Sequence, residues 1–236
     1  MSPESSDIRE MFNTISGQYD FLNHFLSFGI DRSWRRRVVK EIGERFRGRL
    51  AALRVLDVAT GTGDLAIAIA SLHPEQIRAV DIAARMMEIG REKVAAKKLQ
   101  ERIIFSEAAA ENLPFPDDTF DAVTVAFGVR NYEDLRKGLS EMRRVMQPGG
   151  QMLVLEFSHP ASFPFKQLYS FYSRCIIPVV GRIVSKDRRA YAYLPESVAA
   201  FPSGTGFLRI MEECGLKNVK QISLTMGIAS LYTGGK

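Results

Sequence analysis

Cysteine and histidine are scarce in this sequence of 236 residues, and that scarcity excludes two kinds of site. The chain has two cysteines, Cys175 and Cys214, and three histidines, His24, His73 and His159. Two widely separated cysteines do not make a disulfide framework, and three isolated histidines do not make a metal-ligand cluster. The sequence therefore predicts reduced, structural thiols and no bound metal ion.

Long apolar runs are missing as well. No stretch approaches the roughly 18 apolar residues that a membrane-spanning helix needs. The first ten residues, MSPESSDIRE, are polar and acidic, whereas a secretory signal is basic and then apolar. Hydrophobic residues make up 46% of the chain and charged residues 25%, which is typical of folded globular proteins. We expect a cytoplasmic protein with one sizeable domain, or one domain with an added helical piece.

The charge of the chain is basic but not decisive. The formal net charge is +5 and the pI is near 9.3. This balance permits contact with nucleic acid, with anionic lipid or with an acidic substrate, and charge alone does not choose among the three.

The pattern of apolar residues predicts an α/β fold. From residue 53 onward, runs rich in Val and Ile alternate with stretches of helical periodicity, as in strand–helix–strand units of a parallel sheet. The turn QPGG at 147–150 is expected to close the last of these helices. A final pair of strands is expected to be antiparallel. The predicted strands cover residues 53–59, 77–82, 102–108, 121–128, 151–158, 219–225 and 228–234.

Two segments depart from this alternation. Residues 1–50 show helical periodicity without strands, which predicts a helical cap over a sheet domain at 51–236. Residues of about 160–200 form a second helical insertion, placed before the last two strands and dense in aromatic and basic residues.

A glycine loop follows the first predicted strand in the stretch VLDVATGTGDL. Gly61, Thr62 and Gly63 allow a ligand to approach the backbone closely, and the loop also fits a loose dinucleotide pattern, so NAD is a rival ligand. Asp64 in the first helical turn would repel a pyrophosphate, whereas S-adenosylmethionine carries an ammonium and a sulfonium. Asp57 and Asp64 therefore favour a cationic cofactor, although Asp57 can also be an ordinary turn residue.

Asp81 ends the second predicted strand, twenty residues after Gly61. An acid at that place can accept hydrogen bonds from both ribose hydroxyls, which indicates an adenosine ligand without choosing between the two cofactors. The loop after the third strand could line the adenine with backbone groups. Met86 could cover the base, and a core role fits it nearly as well.

These stretches carry a family resemblance over nearly the whole chain. The segments DVATGTGD, ENLPFPDDTFDAV and MQPGGQMLVLEFS and the acid Asp81 are similar to those of Rossmann-like class I S-adenosylmethionine-dependent methyltransferases. FGVRN at 127–131 and YLPESVAAFP at 193–202 resemble further segments of a narrower family within that class. YDFLNHFLSFGIDRSW at 19–34 and RVMQPGGQMLVLEFS at 144–158 resemble the two signatures of the UbiE/MenG/COQ5 family of quinone-biosynthesis C-methyltransferases. The resemblance implies a class I methyltransferase fold with a seven-stranded, mostly parallel sheet.

Four positions depart from the family pattern. The family usually has Met at Leu22, His at Asp31, Lys at Gln147, and Asn or Asp at Ala109. Asp31 alters a candidate base, and Ala109 cannot offer a side chain to the adenine amino group. Recognition of the base would then rest on the backbone of Ala109 and Ala110.

The resemblance implies transfer of a methyl group from S-adenosylmethionine to a ring carbon of a reduced, prenylated demethylquinol of the menaquinone or ubiquinone pathway. It implies no metal ion. The predicted cofactor-binding residues are Asp57, Ala59, Gly61, Thr62, Gly63, Asp81, Ile82, Met86, Ala109, Ala110 and Ala126.

Four residues are the predicted catalytic group. Arg130 would stabilise a phenolate directly or through water, Asn131 would orient the hydroxyl, and Tyr19 would complete the network from the helical cap. His159 is a candidate for proton transfer because its ordinary pKa is near neutrality. A salt bridge or helix cap is the alternative role for Arg130, and a structural role is the alternative for His159.

Partners follow from the same resemblance. A prenylated quinol is lipid-bound, so the aromatic and basic insertion could contact the inner face of a membrane, while core packing explains its composition equally well. A homodimer stays open. FGVRN replaces the Asn/Asp-Pro-Pro-aromatic tetrapeptide common in base methylation, which argues against nucleic acid. A different small acceptor, an NAD-linked oxidoreductase and a non-catalytic nucleotide-binding module are the remaining alternatives.

Overall fold

The computed structural model of the chain describes residues 9–14, 16–17, 29–160, 163–164, 167 and 188–236. Tyr19, Leu22 and most of the predicted insertion lie outside the described residues. Within them, a single sheet of seven strands is flanked by helices on both faces.

The sheet has the order β3-β2-β1-β4-β5-β7-β6. Strands β1 to β5 all run parallel to one another, and β7 runs antiparallel to both β5 and β6. This topology confirms the prediction of a seven-stranded, mostly parallel sheet with a final antiparallel pair. The strands are β1 (Arg54–Val58), β2 (Gln76–Asp81), β3 (Ile103–Glu107), β4 (Phe120–Ala126), β5 (Met146–Phe157), β6 (Lys217–Leu224) and β7 (Ala229–Gly235).

Helices α2 (Asp64–Ile69), α3 (Ala84–Ala96) and α4 (Leu135–Val145) lie in connections between parallel strands. Helix α1 (Asp31–Arg45) precedes the sheet, and α5 (Arg188–Ala200) and α6 (Thr205–Glu213) lie between β5 and β6. The side chain of Asp134 caps α4 by accepting from the backbone N–H of Lys137 at 3.0 Å. Such a cap satisfies one of the donors that a helix start leaves unpaired.

Both faces of the sheet are covered by apolar clusters. Leu56 and Val55 are neighbours on β1, yet they belong to different clusters, because successive strand residues point to opposite faces. On the face of Val55, α1 contributes Trp34, Val38 and Ile42, spaced four residues apart. Residues 31–45 thus share the core of the sheet, while the domain boundary at residue 50 stays a prediction.

The predicted QPGG turn is found inside β5. Met146 pairs with Phe120 and Gln151 pairs with Ala122, so residues 147–150 bulge opposite the single residue Asp121. Helix α4 does end at Val145, as expected, but the strand begins directly after it. The turn residues therefore form a bulge within β5, because β5 pairs with β4 both before and after them.

Candidate active site

A cavity opens beyond the carboxyl ends of β1, β2 and β4. Strand β1 has β2 on one side and β4 on the other, so the strand order reverses at this point. Open α/β sheets bind their ligands at such a reversal. Of the predicted site residues, the cavity is lined by Ala59, Gly61, Asp81, Ile82, Met86, Ala110, Ala126 and Asn131.

The glycine loop forms one wall of the cavity. Gly61 adopts a φ of +56°, and a Cβ atom built on it would lie 3.4 Å from Cε of Met86. The missing side chain thus leaves the backbone close to the space that a ligand would occupy.

Asp81 connects this loop to the end of β2. Its Oδ2 accepts from the backbone N–H of Gly61, and its Oδ1 accepts from the backbone N–H of Ala83, both at 2.8 Å. Burial raises the pKa of the Asp81 carboxyl group, while backbone hydrogen bonds from Ala83, Gly61 and Ile82 lower it. A carboxylate has about four lone-pair sites. Each oxygen can therefore accept a further hydrogen bond from a ligand with paired hydroxyls.

Asp57 supports the loop from beneath and is not among the residues that line the cavity. Its Oδ2 accepts from Oγ1 of Thr60 at 2.6 Å, and its Oδ1 accepts from Oγ1 of Thr124 at 2.7 Å. Burial raises the pKa of Asp57 to about 6, against the lowering effect of these two hydrogen bonds and of the charge of Arg35. The structure thus gives Asp57 the turn-holding position that was its alternative role.

Asp64 does not present a bare negative charge to the cavity. Its carboxylate forms an ion pair with Lys93 and lies 3.4 Å from Nη2 of Arg35. Lys93 also donates to Oγ1 of Thr62 at 3.1 Å. The sequence argument that Asp64 supplies field for a cationic ligand is therefore wrong, because two cations compensate that charge.

Asp31, where the family usually has His, is a buried partner of Arg35. The two side chains pair one turn apart on α1 and are 4% and 10% exposed. Arg35 bridges Asp31 and Asp64, so this pair ties α1 to the start of α2. The substitution therefore replaces a candidate base by part of a structural network.

Two of the non-glycine residues with positive φ lie at the strand ends that border the cavity. Ala59 after β1 has a φ of +51°, and Phe127 after β4 has a φ of +58°. A Cβ atom on Gly128 would lie 2.6 Å from Cβ of Ala59, so the two strand ends approach closely. Non-glycine residues in this region of φ cost about 1–3 kcal/mol each and cluster at functional sites.

Arg130 lies in the turn after β4 but is not among the residues that line the cavity. Its Nη1 forms a buried ion pair with Oε1 of Glu156 at 2.7 Å and also donates to the carbonyl oxygen of Phe127. Its Nε donates to Oγ of Ser197 at 3.3 Å. These contacts correspond to the salt-bridge alternative for Arg130.

Asn131, the next residue, does line the cavity. Its Oδ1 accepts a hydrogen bond from the hydroxyl of Tyr193, which is on α5, at 3.0 Å. Tyr193 was not predicted as a site residue, because nothing in the sequence pairs positions that are 62 residues apart.

The other predicted residues lie as follows. Thr62 and Gly63 are in the glycine loop, Ala109 is in the loop after β3, and His159 is exposed after β5, but none of these four is among the lining residues. Tyr19 lies outside the described residues.

Sequence reasoning missed several lining residues. Among them are Phe12, Glu111, Tyr132 and Glu133. Glu111 Oε1 accepts from the backbone N–H of Glu133 at 2.9 Å, which joins the loops after β3 and β4. Glu111 is in the quoted segment ENLPF and Tyr132 directly follows FGVRN, so proximity to motifs was the only signal.

The described residues contain no group of three or more His, Cys, Asp or Glu side chains placed to hold a metal ion. None of the helices in the described part of the chain combines the length and the apolarity needed to span a membrane.

Solved structures resemble this fold over most of its length. A SAM-dependent methyltransferase from Aquifex aeolicus has a TM-score of 0.59 at 20% identity and covers 83% of this chain and 88% of its own. A putative methyltransferase solved in complex with the Haloferax volcanii Trm112 activator has a TM-score of 0.65 at 15% identity, with 95% and 96% coverage. These similarities confirm the predicted Rossmann-like methyltransferase fold.

Sequence relatives are much closer. The chain is 47% identical over 234 residues to a protein from Bacteroides fragilis named demethylmenaquinone methyltransferase, covering 99% of this chain and 94% of the relative. It is 48% identical over 238 aligned positions to a protein from Geotalea daltonii named ubiquinone/menaquinone biosynthesis C-methyltransferase UbiE, with 100% and 99% coverage. A model of the ubiE/COQ5 methyltransferase family matches residues 1–236. The chain belongs to the ubiE/COQ5 methyltransferase family.

Proposed function

We propose that the protein transfers a methyl group from S-adenosylmethionine to a ring carbon of a demethylated, prenylated quinol. The observation that carries the proposal is the polar lining of the cavity at the strand reversal. Asp81, Glu111 and Glu133 line it, and none of the three has an ion pair with a described residue. In a member of this family, such a cavity suits a cationic methyl donor, whereas a dinucleotide diphosphate would meet three carboxylates.

The residues present fit S-adenosylmethionine. Asp81 has lone pairs left for the two ribose hydroxyls, Gly61 leaves the backbone open, and Ile82 and Met86 offer apolar surface for the base. When bound, the cofactor supplies a methyl group attached to a positively charged sulfur. The carboxylates of Glu111 and Glu133 then add favourable electrostatic energy at the rim.

The acceptor would occupy the side of the cavity near the turn after β4. Phe12 and Phe127 line the cavity and help to exclude water, and Asn131 offers the polar contact to a ring oxygen. In this proposal Arg130 fixes the turn through Glu156 and does not contact the acceptor. Holding the reacting carbon within about 3–3.5 Å of the methyl group is worth several kcal/mol of the barrier.

Tyr19 and His159 remain proposed catalytic residues. His159 is exposed after β5 and could exchange a proton with solvent. The variant His159→Gln tests this role through the pH dependence of kcat, since loss of a proton carrier would remove one limb of the profile.

We also propose that the protein docks on membranes through one apolar face. The large hydrophobic side chains exposed in the described residues are Ile30, Phe163 and Met226. The Trp34 indole, one turn from Ile30, donates to Oγ1 of Thr225 at 2.8 Å, which brings Ile30 and Met226 to the same end of the molecule. A prenylated substrate resides in the bilayer, so an apolar face there would give the cavity access to it.

The proposed activity is tested with labelled S-adenosylmethionine and two reduced acceptors, a demethylmenaquinol and the corresponding benzoquinol. We expect label on a ring carbon, located by mass spectrometry. Calorimetry with S-adenosylmethionine, S-adenosylhomocysteine and NAD runs in parallel. Binding of NAD without binding of the sulfur compounds, or label on oxygen only, would contradict the proposal.

A further inference from the structure

The cavity has an unusual balance of hydrogen-bonding groups. The polar residues that line it in the described part of the chain are Asp81, Glu111, Glu133, Asn131 and Tyr132. The three carboxylates are acceptors when ionised. The hydroxyl of Tyr132 donates to Sδ of Met142 at 3.5 Å, so this donor is already engaged within the protein. Among these described lining residues, Asn131 is the only one whose side chain carries N–H donors.

The orientation of that amide is fixed from outside the cavity. The hydroxyl of Tyr193 donates to Oδ1 of Asn131 at 3.0 Å. With Oδ1 engaged, the amide plane is set and Nδ2, with its two N–H groups, is the end left for other partners.

Tyr193 is itself held in place by α5. Tyr193 and Ser197 are one turn apart on this helix, and they contact Asn131 and Arg130, which are consecutive in the turn after β4. Arg130 itself forms an ion pair with the fully buried Glu156. Burial raises the pKa of the Tyr193 hydroxyl, partly offset by the positive charge of Arg130, so the group stays protonated and remains a donor at neutral pH.

We propose that Tyr193 is a positioning residue that holds the Asn131 amide as a hydrogen-bond donor, so that the site binds the quinol oxygen in its ionised form. This inference rests on the proposed function and specifies the protonation state of its acceptor. An ionised ring oxygen donates electron density to the neighbouring carbon, whereas a neutral hydroxyl does so weakly. A donor placed for the oxyanion therefore favours the reactive form of the substrate.

The first test replaces the donor by an acceptor of the same shape. Asn131→Asp keeps both terminal heavy atoms but removes the N–H groups. We expect kcat to fall about 100-fold or more, as for loss of an oxyanion donor. Calorimetric affinity for S-adenosylhomocysteine should change less than about threefold, because Asp81 and the glycine loop are untouched. If Asn131 instead accepts from a neutral hydroxyl, Asn131→Asp keeps or gains activity, and the inference is wrong.

The second test removes only the Tyr193 hydroxyl. In Tyr193→Phe we expect kcat to fall about 10-fold, the size of one neutral hydrogen bond. Without the Tyr193 hydroxyl, the Asn131 donor is less ordered and stabilises the ionised substrate less. The pKa of the bound substrate hydroxyl is then higher than in the wild type, so the rising limb of kcat against pH should move to higher pH. Tyr232→Phe is the matched control, since the Tyr232 hydroxyl accepts from the backbone N–H of Gly204 outside the cavity. The Tyr232→Phe variant should be less stable than the wild type, but the rising limb of its kcat profile should stay at the same pH. A uniform drop of the Tyr193→Phe profile would mean a merely structural role.

A third measurement needs no methyl transfer. The probe 2-prenyl-1-naphthol carries one hydroxyl, and its ionised and neutral forms absorb at different wavelengths. We expect the pKa of the bound probe to be lower in the wild-type protein than in Asn131→Asp. Equal shifts in both proteins overturn the inference while the proposed function can stand. If the wild type neither binds the probe nor methylates a quinol, the proposed function fails and the inference fails with it.

Discussion

The buried pair of Arg130 and Glu156 makes a prediction about stability as well as activity. The two side chains are 5% and 0% exposed and are joined at 2.7 Å. The substitution Arg130→Met removes the cation and leaves the Glu156 carboxylate in a site that water does not reach. Removing one partner of such a pair costs about 3–5 kcal/mol, because the remaining charge is uncompensated. For a chain of this size, we expect Tm to fall by roughly 6–20 °C.

A second substitution separates charge from packing. Glu156 also accepts from the backbone N–H of Phe157 at 2.8 Å, and a glutamine oxygen can keep that bond. The double variant Arg130→Met/Glu156→Gln has no buried charge at this place and should regain most of the lost stability. Its turnover should stay at least about 10-fold low, because Arg130 no longer holds Phe127 and Ser197 and the turn that carries Asn131 is displaced.

The assay is urea unfolding followed by the fluorescence of the single tryptophan, Trp34, which is buried between α1 and the sheet. The exposed pair of Arg136 and Glu213 gives a matched control, and Arg136→Met should cost less than about 1 kcal/mol. If Arg130→Met costs no more than this control, the buried pair does not stabilise the turn. If the double variant recovers full turnover, the guanidinium has no part in placing Asn131.

Three further predictions concern the cofactor loop and the apolar face. Asp81→Ala should abolish calorimetric binding of S-adenosylhomocysteine and leave the far-UV spectrum intact; retained micromolar affinity would exclude Asp81 as the ribose acceptor. Burial raises the pKa of Asp57 from 3.8 to about 6, so the folded chain retains a proton there that the unfolded chain has released. Stability should therefore fall as pH rises from about 4 to about 6, by about 1–3 kcal/mol, and stay lower above that range. Asp57→Asn should lack this slope in urea unfolding, and an unchanged slope would assign it to other groups. Met226→Asp should lower co-sedimentation with vesicles of phosphatidylglycerol and phosphatidylcholine, with Lys220→Gln on β6 as the control that changes the net charge by the same amount; equal losses would mean that charge alone drives binding.

The fold was predictable because its strands carry their own signal. Runs such as RVLDV in β1 and FDAVTVA in β4 are dense in β-branched residues, and their burial on both faces suppresses the polar alternation of an open sheet. The position of residues 147–150 was not predictable, because Pro and Gly mark a change of direction without stating whether strand pairing resumes afterwards. That outcome depends on the partner strand β4, which is distant from the turn itself.

The candidate site was predictable only where one loop carries the function. Asp81 is the last residue of β2 and Gly61 lies three residues after β1, so the order of the sheet places both at the cavity. The contact between Tyr193 and Asn131 joins two segments through α5, and its existence depends on how that helix packs. Asp57 is a case in which a motif residue points away from the ligand space. It is prominent in the sequence motif, but in the structure its side chain contacts Thr60 and Thr124 beneath the loop.

The acidic residues on which the electrostatic argument from the sequence relied are not the ones that line the cavity. Asp64 is paired with Lys93 and Arg35, and Asp57 accepts hydrogen bonds from Thr60 and Thr124 beneath the loop, so neither residue is among those that line the cavity. The carboxyl-bearing residues that line the cavity are instead Asp81, Glu111 and Glu133, and none of the three forms an ion pair with a described residue. A negative cavity repels the oxyanion of a quinol as strongly as it attracts a sulfonium. Because the carboxylates make ionisation of the acceptor costly, a fixed amide donor at Asn131 is needed on the acceptor side, and the buried Arg130 supplies none.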